Sequence, residues 1–62
     1  MTDKVFEMIM DIRNSGACNM IDIAAVQRNA YEKGFFDLVI YIEEHKKEYI
    51  QFILTGERPK QD

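Results

Sequence analysis

The side chains equipped for chemistry are few: one thiol at Cys18, one imidazole at His45, and a group of carboxylates, Glu43, Glu44 and Glu48, around that imidazole. A nucleophilic cysteine needs a base held beside it. His45 is far along the chain from Cys18, and neither residue has the flanking pattern of a cysteine enzyme. Cys18 therefore reads as a small apolar filler in a loop. His45 and Glu48 form a His-x-x-Glu pair on one helical face. That is half of a metal site, and a symmetry mate would have to complete it. Because a metal ion ordinarily takes three or four protein ligands at once, neither a metal nor any other cofactor is expected. His45 is better placed as a packed residue whose ring nitrogens meet a carboxylate or a backbone group. Glu43 and Glu44 are adjacent and diverge around a helix, so they do not form a general acid and base pair. No glycine-rich phosphate cradle is present. No catalytic residue is assigned, and the expectation is a protein that is not an enzyme and has no small-molecule substrate.

The elements that must position these residues are all helical. The first helix, about residues 3–14, follows a Thr2 or Asp3 cap and carries Val5, Met8, Ile9 and Ile12 at helical spacing. Phe6 and Met10 lie beside that stripe and widen the apolar arc to about twice the ~100° that one contact surface needs. Gly16 supplies the left-handed residue that ends it. The second helix, about residues 20–33, presents Ile23, Val26 and Ala30, with Gln27 and Tyr31 at the edge. Gly34 closes it with a very tight turn into a third helix over residues 35–55, which Gly56 and Pro59 end. The expected fold is an all-α three-helix domain over residues 1–56, with a frayed tail at 57–62.

The third helix is expected to be continuous, roughly 30 Å long. Phe35, Leu38, Ile42, His45, Tyr49 and Phe52 follow alternating steps of three and four, a seam of the coiled-coil kind. A second row, Phe36, Ile40, Lys47, Ile50 and Leu54, runs along another side. Glu43 and Glu44 precede Lys47 by four and three residues, an order that suits helix electrostatics. Two shorter helices do not cover both rows, and an uncovered apolar row marks an interface. A chain of 62 residues also has a small core, and stability beyond roughly 3–5 kcal/mol needs help from outside it. One cysteine excludes an intrachain disulfide, which leaves oligomerisation. The expectation is self-association, or an unidentified protein partner, through His45, Tyr49, Ile50, Phe52 and Leu54, with Phe36 and Ile40 and contributions from Phe6 and Met10.

Other partners fit less well. The chain has formal charge −3, which opposes approach to phosphate backbones. Ala30 and Gly34 stand four apart at a helix junction, as in helix-turn-helix motifs. However, Asn29 and Lys33 fall where that motif wants apolar residues, and the following helix opens with Phe36, Asp37, Leu38 and Tyr41 where base-reading side chains belong. A nucleic-acid-associated regulator, using Arg28, Lys33, Lys46 and Lys47 on the backbone, is the alternative reading. No run approaches the ~18 apolar residues of a membrane span. The N-terminal residues resemble neither a signal nor a transit peptide. With a lone thiol, these features lead to an expected cytoplasmic location.

The stretch NSGACNMID, residues 14–22, concentrates turn chemistry. Asn14 and Gly16 end the first helix. Asn19 caps the second with Asp22 in its first turn, or Asp22 is itself the cap. In the first case Met20 reaches back to close the core over the loop. The stretch could also be a partner-binding loop.

Ile12-Arg13, Gly16, Asn19-Met20, Asp22, Val26-Gln27, Gly34-Phe35, Leu38-Val39, Glu43-Glu44-His45, Glu48-Tyr49 and the closing Phe52 to Gly56 together form a pattern. It resembles a family of small proteins, a domain of unknown function found in Gram-positive bacteria and their phages and prophages. The resemblance covers about Lys4 to Gly56. It implies a phage or mobile-element accessory protein and brings no activity, cofactor or catalytic residue with it.

Overall fold

Thr2 is extended, and its Oγ1 accepts a hydrogen bond from the Val5 amide at 3.1 Å. This supplies one of the helix's otherwise unsatisfied first-turn donors. Helix α1, Asp3–Ser15, grows from that cap in a computed structural model that describes residues 1–58. It ends at Gly16, whose φ of 66° lies in the left-handed region. Helices α2, Ile23–Glu32, α3, Phe36–Glu44, and α4, Lys46–Thr55, complete the described residues, and the all-α class holds.

The α2–α3 junction is built by Gly34. Its φ is 77°, the Phe35 amide donates to the Ala30 carbonyl at 2.8 Å, and the Gly34 amide donates to the Tyr31 carbonyl at 3.1 Å. These two bonds define a Schellman stop. The chain therefore reverses within a few residues, and α2 packs more extensively on α3 than any other pair of helices does. Buried Ala30 has almost no side chain to hold the two apart. Gln27 also spans them, donating from Nε2 to the Val39 carbonyl at 3.3 Å and to Glu43 Oε2 at 3.0 Å.

Two of the expected helices change. The second begins at Ile23 rather than at residue 20, because residues 19–22 form a turn of their own: Asn19 Oδ1 accepts from the Ile21 amide and the Asn19 carbonyl accepts from the Asp22 amide, both at 3.0 Å. Asp22 is the cap, with Oδ1 accepting from the Ala25 amide at 3.2 Å. The third helix is not continuous. His45, at φ −134° and ψ 49°, leaves helical geometry and separates α3 from α4, making four helices where three are expected. A straight helix over residues 35–55 would run about 30 Å, longer than the 27 Å greatest extent of the molecule. The bend instead folds the far half of the apolar seam back onto the near half. Leu38 and Ile42 of α3 and Tyr49 and Phe52 of α4 then join Val5, Ile9 and Ile12 of α1 and Val26 and Ala30 of α2 in one core. Each large side chain fully removed from water there stabilises the fold by roughly 1.5–3 kcal/mol. Glu43, expected to pair with Lys47, is held by Gln27.

The start of the tail lies against α1. Arg58 donates from its guanidinium to Asp3 Oδ1 at 2.8 Å and lies 4.6 Å from the Phe6 ring centroid. The remainder of the expected tail, 59–62, lies outside the described residues.

Candidate functional site

The groups singled out for chemistry fall in different places. Cys18 is half-buried in the loop between α1 and α2 and packs on the core. His45 is at the α3–α4 bend, with Nδ1 3.3 Å from Glu48 Oε1 and its ring 5.1 Å from that of Tyr41. Among the described residues, no group of three or more His, Cys, Asp or Glu side chains converges on a point. The ring packs and one nitrogen meets a carboxylate, as expected, but His45 does so half-buried at the bend rather than within the core row of the seam.

The loop and the bend are tied by a bond that residue types alone do not announce. Tyr49, fully buried, donates its hydroxyl to the Met20 carbonyl at 2.8 Å. Burial, with a smaller contribution from nearby Cys18, raises the Tyr49 pKa above its ordinary value. The hydroxyl stays a neutral donor in the folded chain at pH values where the unfolded chain has begun to ionise. The stability it contributes is therefore complete below about pH 10 and declines as pH rises further. A tyrosine at a core position requires a partner for its hydroxyl, and that rule was the available signal. Met20 itself is half-buried against the core, so the loop is closed by its side chain and fastened by its carbonyl. Tyr41 offers a contrast: its hydroxyl is buried and has no hydrogen-bond partner among the described residues, and desolvation, followed by the Glu48 charge, raises its pKa.

The nine residues expected at an interface separate into three groups besides His45 at the bend. Tyr49 and Phe52 are 0% and 5% exposed in the chain's own core. They are not available to a partner, which corrects that assignment: the seam serves the fold. Phe6 and Met10 are half-buried and line a groove between α1, the 19–21 turn and the end of α4, where Phe6 meets Phe52 edge-on at 5.8 Å. Asn19, Met20 and Ile21 form one wall of this groove, and Arg13 stands among its lining residues.

Phe36, Ile40 and Leu54 face solvent at 54%, 55% and 67% exposure. Phe36 meets exposed Tyr31 edge-on at 5.5 Å across the Gly34 turn, and Ile40 lies one helical turn beyond it. Leu54 and half-buried Ile50 lie on the outer face of α4, in a shallow apolar depression bounded by Lys46, Lys47, Gln51 and Thr55. The four bounding residues were not singled out together in the sequence. The alternation of the second row, which runs Lys47, Ile50, Leu54, was the signal for them.

The arrangement contains exposed apolar side chains on α3 and α4 and the half-open groove beside α1. None of its helices is long and apolar enough to cross a membrane among the described residues.

The chain belongs to an uncharacterised domain family: the family model described as "Domain of unknown function (DUF5049)" matches residues 1–57. No curated protein and no solved structure gives a match.

Proposed function

We propose that this domain is a non-enzymatic protein–protein interaction module that self-associates through its C-terminal half. The carrying observation is the exposure of Leu54, with Ile40 and Phe36, after the chain has already assembled a complete core of its own. Large apolar side chains left exposed on a small helical domain suit a surface that another protein covers. The reading also accommodates the separation of Cys18 from the His45–Glu48 pair, which leaves no nucleophile beside a base. Its setting is an accessory protein of phages or prophages in Gram-positive bacteria, supported by the family resemblance of the motif pattern. The acidic composition and lone thiol suit the cytoplasm.

The nucleic-acid alternative is weaker on the same surfaces. The α2–Gly34–α3 junction has the tight reversal of a helix-turn-helix, yet the exposed residues of α3 are Phe36, Asp37, Ile40, Glu43 and Glu44. None is basic, and neutralising phosphate charge needs Lys or Arg.

Light scattering across a dilution series tests the proposal. The weight-average mass should climb from 7.3 kDa toward twice that value as concentration rises to about 1 mM, the range where a weak contact of roughly −4 to −6 kcal/mol is populated. A constant 7.3 kDa at the highest concentration would remove self-association.

A further inference from the structure

The outer face of α4 has its charge at one end only. Lys46 and Lys47 occupy the first turn, Ile50 and Gln51 the middle, and Leu54 and Thr55 the last turn, with Glu57 just beyond. Cations at a helix N-terminus oppose the positive end of its dipole. Among the described residues, neither lysine has an ion-pair partner within the chain. The opposite end of the helix has no basic residue in its last turn to meet the final carbonyls. The first turn also carries Glu48, but Glu48 does not line this face. On the face itself, among the described residues, the lysines meet no carboxylate at ion-pair distance and the final carbonyls meet no cation.

We propose that this face docks on the same face of a second copy, with the two α4 helices antiparallel about a two-fold axis beside Ile50 and Gln51. The inference rests on the self-association proposed above and adds its geometry. α4 has ten residues and its midpoint falls between Ile50 and Gln51. An axis there places Lys47 beside the partner subunit's Leu54 and Lys46 beside the partner subunit's Thr55. The lysine stems then cover the exposed leucine while their ammonium groups reach the negative end of the partner's helix and Glu57, the arrangement by which long cationic side chains shield apolar surface. A parallel pair would set four lysines together at one end, and like charges in that position repel.

The face is self-complementary in one orientation, as an isologous two-fold contact requires. That favours a second copy over an acidic helix of another protein, because the complement to the lysines is already on the same helix. Two helices of this length, about 15 Å each, bury less than the ~1,200 Å² of a standard interface. The dimer is accordingly weak and concentration-dependent.

Disulfide trapping in the full chain tests the geometry, in a Cys18→Ala background so that only introduced thiols react. Gln51→Cys, beside the axis, should oxidise to a covalent dimer roughly tenfold faster than Glu7→Cys on the exposed side of α1, since only thiols held at bonding distance gain from proximity. A mixture of Lys47→Cys and Leu54→Cys chains should cross-link to each other faster than Lys47→Cys chains cross-link among themselves. All four positions are exposed, and circular dichroism establishes that each variant is folded. If the protein is dimeric by light scattering but Gln51→Cys reacts no faster than Glu7→Cys, the α4 face is the wrong one, while self-association stands. If Lys47→Cys reacts with itself as fast as with Leu54→Cys, the antiparallel orientation is overturned. A monomer at every concentration overturns this geometry and the self-association together.

Discussion

The Gly34 and His45 junctions each redirect the chain between two helices, and they do so by opposite means. At Gly34 the instruction is local: a left-handed residue, two backbone bonds that close the stop, and a side chain absent where one would strain the turn. At His45 nothing local requires a bend. The residue has no positive φ, no side-chain cap bond forms, and neither glycine nor proline is near. The bend is held from a distance by Tyr49 on Met20, by Phe52 against Phe6, and by Gln27 on Glu43 at the end of α3. One junction would direct the chain before the core forms. The other exists because the core has formed.

If that contrast is right, the bend should be most sensitive to a residue that is not in it. Tyr49→Ala removes a fully buried aromatic side chain and leaves the Met20 carbonyl without its donor. Large-to-small core changes of this kind cost about 3–5 kcal/mol, comparable with the whole stability of roughly 3–5 kcal/mol expected of so small a core. Far-UV circular dichroism at 25 °C should show a largely unfolded chain. A loss below about 1 kcal/mol in urea titration would mean that Tyr49 does not hold α4 in place.

The same contrast explains which parts of the fold were legible in the sequence. Thr2, one of two candidate caps with Asp3, and Gly16 and Gly34 mark the ends of α1 and the α2–α3 turn because capping is a contract among neighbours. Asp22 was one of two candidates for the α2 cap, and the Asn19 turn decided between them through a backbone bond that no residue type reveals. Residues 43–47, Glu-Glu-His-Lys-Lys, are all compatible with helix, and the apolar spacing continues across them. A continuous helix was the natural reading, and it made Tyr49 and Phe52 into interface residues. Only closing the core shows that the second half of the seam is needed inside. The candidate surface followed the same pattern: exposed Phe36, Ile40 and Leu54 were visible as a second row. The grouping of Lys46, Lys47, Gln51 and Thr55 around Ile50 depended on where the bend set the start of α4.

Gly34→Ala sharpens the comparison from the local side. A Cβ at Gly34 would meet nothing within 4 Å, so the cost is one of backbone conformation, at φ +77°, rather than of space. A non-glycine residue held in the left-handed region loses about 1–2 kcal/mol. The unfolding free energy from urea titration should fall by that amount, through a lower midpoint at unchanged slope. No change would mean that the turn tolerates another geometry, and the description of Gly34 as a local instruction would fail.

His45→Ala is the matching test at the other junction, and the smallest effect is expected there. Alanine favours helix over histidine by roughly 0.5 kcal/mol, so the substitution locally promotes the straight helix that the chain does not adopt. Straightening would draw Tyr49 and Phe52 out of the core at about 1.5–3 kcal/mol each, far more than the propensity returns. The bend should therefore persist. The substitution removes the packing of the imidazole on the Tyr41 ring and its pairing with Glu48, whose side chain is half exposed, and partly exposed pairs of this kind contribute about 0–1 kcal/mol. Stability should stay within about 0.5 kcal/mol of the parent, the usual range for a surface change, with helicity unchanged. A loss above about 1.5 kcal/mol, outside that range, would show that the imidazole itself directs the bend, and the two junctions would then both be local in origin.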